Sequence, residues 1–187
     1  MRIIGGKFKG KKLLEPQDKE TRPLKDLTKE SVFNIINHSN KFSIDIKKAY
    51  VLDLFSGVGS FGIECLSHGA SHVTFIEKYE RVLPILKKNI NNLKSEINYE
   101  IIESDILNKF EFKNLNFKYD IIFLDPPYKE KALEKILNSI IENKILKDSG
   151  IIIIHRHKKE IDEFPKNFQL IDKKKYGISK IIFGSYC

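Results

Sequence analysis

The stretch Val51-Leu52-Asp53-Leu54-Phe55-Ser56-Gly57-Val58-Gly59-Ser60-Phe61-Gly62 decides the fold of this chain. An apolar run meets a glycine-punctuated turn, and a helical pattern follows at once, which reads as strand, tight turn and helix start. Glycines there permit positive φ and close backbone approach, so a nucleotide-like ligand can sit beyond the carboxyl end of the strand, against Phe55, Ser56, Gly57 and Gly59. Gly57, Gly59 and Gly62 also satisfy G-x-G-x-x-G, so on this loop alone a nicotinamide or flavin dinucleotide competes on nearly equal terms with a sulfonium cofactor. Asp53 shifts the balance. Its carboxylate would repel a pyrophosphate but can hydrogen-bond the ammonium of a methionine moiety, directly or through water, which suits S-adenosylmethionine.

Outward from this loop, short β-branched runs alternate with helix-period segments, the signature of a mostly parallel sheet covered on both faces. Strands are expected at 50–55, 72–76, 98–103, 120–124, 150–155, 168–173 and 178–186, with helices near 60–68, 79–94, 130–146 and 158–163. Leu133, Ile136, Leu137, Ile140 and Ile141 recur at helical spacing and read as core. Pro84 falls early in its helix, where a missing N–H costs little. Only Lys173 to Gly177 separate the last two strands, too short a link for parallel neighbours, so they should form an antiparallel hairpin. The expected fold is a Rossmann-like α/β unit over 50–187 with seven strands and an antiparallel C-terminal edge. Residues 1–49, a Gly-rich basic segment and then a helix near 26–38, form an N-terminal extension packed on it.

Glu77 ends the second strand about twenty residues past the loop, where a carboxylate accepts both ribose hydroxyls of an adenosine. Ser104 and Asp105 follow the third strand, placed for the adenine amino group, although either would serve equally as a helix N-cap.

Tyr119-Asp120-Ile121-Ile122-Phe123-Leu124 delivers Asp125-Pro126-Pro127-Tyr128 to the same sheet edge. The prolines stiffen the backbone and remove N–H donors, concentrating acceptors at the Asp125 carboxylate and the Pro126 carbonyl. Such a site asks for an NH2 group. An exocyclic amine conjugated into a base is a poor nucleophile; accepting its hydrogens localises the lone pair while holding the nitrogen in line with a sulfonium methyl. Tyr128 is suited to stacking on a base rotated out of its helix or loop. A plain turn after a buried strand explains neither the location nor the combination.

The chain has 187 residues, 33 Lys and Arg against 25 Asp and Glu, and a formal charge of +8. That length suits one globular domain, and the charge favours a polyanionic partner unless it reflects a general lysine bias. Cys65 and Cys187 lie far apart without a metal-binding partner, so neither a disulfide framework nor a metal site is expected, and a reducing cytosol fits. Cys65 should be packed rather than reactive. The N-terminus lacks a signal-peptide pattern, and no apolar run is long enough to span a bilayer.

With these motifs in place, the sequence resembles the RsmD family of bacterial 16S rRNA guanine-N2 methyltransferases over nearly its whole length. The resemblance rests on Arg2-Ile3-Ile4-Gly5-Gly6 with Gly10 and Leu13, Arg22-Pro23 with Asp26, Glu30, Phe33 and Asn34, the stretch from Asp53 to Gly62, Ile76-Glu77, Asp125-Pro126-Pro127-Tyr128, and Tyr176-Gly177. It implies a methyltransferase fold with an N-terminal β-rich extension, S-adenosylmethionine as donor, and a guanine amino group of 16S rRNA, within an assembled or assembling small subunit, as acceptor. A cytoplasmic monomer without membrane contact is the matching expectation. The chain departs from the family pattern at Leu24, where threonine is usual, and at Leu27, where arginine is usual. An adenine-N6 methyltransferase acting on DNA or RNA is the neighbouring alternative, because the acceptor motif suits that amine too.

Arg2, Lys7, Lys9, Lys11 and Lys12 crowd a short segment around Phe8, a ribbon suited to phosphates with an aromatic for stacking, or else a solvated basic strand. Arg22, Lys25 and Lys29 would extend that patch if the following helix packs beside the site. His155, Arg156 and His157 follow the fifth strand and would either flank the pocket, touch RNA phosphate, or form an exposed loop.

Overall fold

The computed structural model of the chain describes residues 1–16, 24–126 and 132–186. Its strands are β1 (Tyr50–Leu54), β2 (His72–Glu77), β3 (Tyr99–Glu103), β4 (Tyr119–Leu124), β5 (Leu146–His157), β6 (Phe168–Tyr176) and β7 (Ser179–Tyr186). Its α-helices among the described residues are α1 (Asp26–His38), α2 (Ser60–Ser67), α3 (Leu83–Asn91) and α4 (Leu133–Glu142). All strands share one sheet in the order β3-β2-β1-β4-β5-β7-β6. From β3 to β5 every neighbouring pair is parallel, whereas β7 runs antiparallel to both β5 and β6.

The near-continuous apolar runs of β1, β4 and β5 follow from burial on both faces. Val51, Ile121, Phe123, Ile151 and Ile153 point into one core, shared with Val32 and Phe33 of α1, Phe61 of α2 and Leu86 of α3. Leu52, Leu54, Ile122, Leu124, Ile152 and Ile154 point into the other, closed by Leu133, Ile136, Leu137 and Ile140 of α4, the stripe predicted from spacing except for Ile141, which is only partly buried and lies outside this core. Cys65 is fully buried as expected, and Pro84 stands in the first turn of α3.

The C-terminal third departs from expectation at two places. The hairpin link is shorter than Lys173 to Gly177: β6 runs on to Tyr176 and turns through Gly177 (φ 57°) and Ile178. Lys173, Lys174 and Lys175 pair with β7 and keep exposed side chains, as an edge strand tolerates lysine. The helix expected at 158–163 does not form. Ile161 is 95% exposed, so no apolar face holds a helix there, and the Asp162 carboxylate is drawn inward by Arg156 at 2.9 Å and Lys180 at 2.6 Å.

The N-terminal segment also differs from a β-rich extension: among residues 1–16 the pairing reduces to a single antiparallel bridge, Arg2 with Lys12. The reason is anchoring by side chains. Ile3, Phe8 and Leu13 enter the same core as α1 and α2, and the Glu64 carboxylate accepts the amides of Ile4 and Gly5 at 2.7–3.1 Å.

Candidate active site

The parallel strands end their carboxyl termini on one edge, and the residues singled out by sequence gather there. Strand order reverses beside β1, with β2 on one side and β4 on the other, so a crevice opens between the ends of β1 and β4. The residues expected at the cofactor (Asp53, Phe55, Ser56, Gly57, Gly59, Glu77, Ser104, Asp105) lie at or just past the ends of β1, β2 and β3. Asp125 and Pro126 directly follow β4, and the Asp125 amide continues the ladder by donating to the Leu54 carbonyl at 3.4 Å. Pro127 and Tyr128 lie outside the described residues, as does Arg22.

The turn after β1 is held in an unusual backbone. Phe55 has φ 62°, a left-handed conformation uncommon for a residue with a Cβ. It folds Ser56 back so that its hydroxyl donates to the Asp53 carbonyl at 2.6 Å and the Ile76 carbonyl at 3.1 Å. Gly59 (φ 84°) lets the chain enter α2 at once. Gly62 serves packing instead: a Cβ there would stand 2.3 Å from the Phe75 ring and 2.9 Å from Val73.

Asp53 is 1% exposed, and its Oδ2 accepts the Gly62 amide in the first turn of α2 at 2.9 Å. Burial is the main force pushing its pKa up to about 8, against the Gly62 bond, and the nearby charges of Asp125 and Glu77 raise it further. A carboxyl buried among carboxylates is a receptacle for a cation. Glu77 accepts Gly57 N at 2.7 Å through Oε2, and Lys78 N and Tyr79 N at 2.8 Å through Oε1. It thereby ties the glycine turn to the end of β2. Asp105 accepts Leu107 N at 2.9 Å and the Asn108 amide at 2.9 Å, with Lys78 Nζ at 3.3 Å. The desolvation that would raise its pKa is outweighed by these hydrogen bonds and by Lys78, which hold it low. Asp105 thus caps the turn that follows β3, as its N-cap alternative expects. Ser104 bonds back to β2, its amide donating to the Glu77 carbonyl at 3.0 Å.

From sequence alone His155 is open to several roles. It is 5% exposed on β5, and its Nδ1 lies 2.8 Å from Asp125 Oδ1. The signal was present: equal-length apolar runs on adjacent parallel strands put Leu124 beside Ile154, hence Asp125 beside His155. Arg156 is buried in the ion cluster with Asp162, not exposed on a loop.

The basic residues separate. Arg2, Lys7, Lys9, Lys11 and Lys12 are exposed. Lys29 is not: its ammonium is fully buried, 3.1 Å from Glu64 Oε2 and 2.8 Å from the Arg2 carbonyl, so its assignment to RNA contact is corrected to a structural ion pair. Phe8 is 5% exposed and anchors the segment, so it is no stacking platform. Arg2 sits near the start of α2 through Lys29, which also reaches Ser60 Oγ at 3.5 Å. Lys7 N, by contrast, donates to the Ser67 carbonyl at the far end of α2. The Lys11 ammonium caps the Asn92 and Leu93 carbonyls beyond α3. The ribbon therefore runs down the α2–α3 face from the ligand edge to the opposite edge.

This sheet order, with an acidic crevice at the β1–β4 junction, defines a Rossmann-like class I methyltransferase fold. The chain belongs to the family described as Conserved hypothetical protein 95, whose model matches residues 1–185. Ribosomal RNA small subunit methyltransferase D of Haemophilus influenzae is 34% identical over 179 residues, covering 95% of this chain and 90% of that protein. The Buchnera aphidicola protein of the same name, from the Acyrthosiphon pisum symbiont, is 36% identical over 172 residues, 92% of this chain and 86% of that one. A solved Escherichia coli chain, named as a candidate methyltransferase, superposes with a TM-score of 0.82 at 29% identity, covering 100% of this chain and 97% of that one. No helix among the described residues is long and apolar enough to cross a membrane.

Proposed function

We propose that this protein transfers a methyl group from S-adenosylmethionine to the exocyclic N2 amine of a guanine in 16S rRNA. The observation that carries the reading is Asp125, with the Pro126 carbonyl, set at the β1–β4 junction beside a buried acidic pocket. Asp53, pressed by burial and by two neighbouring carboxylates, fits the ammonium of the donor and disfavours a pyrophosphate. Glu77 fits the ribose hydroxyls if they replace its backbone partners, Phe55, Ser56, Gly57 and Gly59 form the wall beneath them, and Ser104 and Asp105 fit the adenine rim.

The donor supplies an electrophilic methyl carbon on a sulfonium. This chain's residues do the rest: Asp125 Oδ2 and the Pro126 carbonyl accept the two amine hydrogens and aim the nitrogen lone pair at that carbon. A bound donor would take the carbon–sulfur bonding pair onto its sulfur as its methyl passes to that nitrogen. The proton surplus on nitrogen then passes to Asp125 or to water, so no strong base is needed. Tyr128 and Pro127 complete the acceptor side, with Tyr128 stacking on the flipped base. Arg2, Lys7, Lys9, Lys11 and Lys12 track phosphates on residues 1–49, helped by Arg22. The names of the methyltransferase D relatives support a small-subunit rRNA substrate. A cytoplasmic monomer acting on the assembled or assembling subunit completes the proposal.

Nucleoside mass spectrometry of rRNA and DNA incubated with the enzyme and labelled donor tests the target. N2-methylguanosine from rRNA is expected; N6-methyladenine as the only product would overturn it.

A further inference from the structure

The pairing of β4 with β5 brings one more side chain to the acceptor half of the site. Leu124 stands beside Ile154 in register, so Asp125, just past the end of β4, comes beside His155 near the end of β5. His155 Nδ1 lies 2.8 Å from Asp125 Oδ1, with side-chain exposures of 6% and 21%. A carboxylate offers only acceptors, so this contact is a hydrogen bond when His155 Nδ1 carries the hydrogen. On the other side of β5 the position paired with His155 is Ile181, which is fully buried and apolar.

We infer that His155 is a positioning residue: its Nδ1–H fixes the Asp125 carboxylate so that Oδ1 is held and Oδ2 is turned to the incoming amine. The requirement is physical. Asp125 rotates freely about χ2 unless one oxygen is pinned, and the two amine hydrogens must meet two acceptors in a fixed geometry as the lone pair develops. The preceding strand is rigid, but it sets only the Cα; the carboxylate plane needs a donor, and the backbone offers none at the prolines. A charge-assisted bond from a buried imidazole supplies that donor. The inference rests on the methyl-transfer reading for its kinetic consequence and on geometry alone for the identity of the protonated nitrogen.

Two measurements keep these apart. In long-range nitrogen–proton spectra of the intact protein, His155 Nδ1 should carry the proton at neutral pH, and Asp125→Ala should move it to Nε2. A wild-type His155 protonated only on Nε2 would overturn the inference whatever the activity. In steady-state methylation, His155→Leu should lower kcat by roughly ten- to a hundredfold with KM for S-adenosylmethionine changed less than twofold. His155→Asn places an amide N–H near the Nδ1 position and should recover kcat to within a few-fold. Unchanged kcat in His155→Leu would overturn the role, and so would a folded His155→Asn as slow as the leucine variant. Absence of methyl transfer by the wild-type enzyme would count against the functional reading, leaving the spectroscopic result to decide the geometry.

Discussion

Asp53 holds its proton to about pH 8 in the fold and would release it near 3.8 when unfolded. Between those values the folded state binds more protons than the unfolded one. The unliganded protein should therefore lose stability as pH rises across that interval, by up to ~1.4 kcal/mol per unit. Asp53→Asn should flatten the dependence of denaturation midpoints on pH. The same charge logic reverses for ligand binding. An ammonium selects the ionised carboxylate, so affinity for S-adenosylhomocysteine should rise up to about tenfold per unit between roughly pH 6 and 7, with proton release seen by calorimetry in buffers of different ionisation heat. Pyrophosphate-bearing NADH should gain nothing. A pH-independent affinity would remove Asp53 from the ligand pocket. Sequence identified this residue by its place at a strand end, but its environment depends on Asp125, distant in the chain and adjacent only through strand order.

The α2 helix shows what packing adds to a motif. The glycine pattern is legible as a cofactor signature, yet Gly62 is dictated by the Phe75 ring on β2, a contact no spacing rule reveals. Gly62→Ala should cost about 1–3 kcal/mol through overpacking, read as a lower unfolding midpoint. Lys29 shows the opposite failure. Its charge suggested a surface, because burial of a lysine is foreseen only when its partner is known, and Glu64 lies thirty-five positions away in sequence. Burial raises the Glu64 pKa, but hydrogen bonding from His68, the Lys29 charge and the Ile4 amide together outweigh it and hold the carboxyl low. Glu64→Ala should cost roughly 3–5 kcal/mol by stranding the Lys29 charge, whereas Lys29→Met with Glu64→Leu should recover much of that loss. Hydrogen exchange at the amides of Ile4 and Gly5 should speed in the single variant, since their acceptor is gone.

Across the whole molecule, the alternation of strands and helices made the sheet, its parallel part and its antiparallel edge readable, because each period reflects which faces are buried. The N-terminal segment was less readable, since anchoring by Glu64, Ser67 and Asn89 replaces a periodic pattern. Its lysines span the α2–α3 face, so if RNA follows them, Lys7→Glu with Lys9→Glu should weaken rRNA binding and flatten its salt dependence by about two charges, leaving S-adenosylhomocysteine affinity unchanged. An unaltered salt slope would place the RNA elsewhere. The claim on which the account turns is that Asp125 presents an rRNA amine at the β1–β4 junction. Incorporation of tritiated methyl into small subunits lacking the modification tests it most directly. The account predicts about one methyl per 16S rRNA with the wild-type enzyme, and a rate lower on the order of a thousandfold in Asp125→Ala with no loss of S-adenosylhomocysteine affinity; equal incorporation by the two proteins would contradict it.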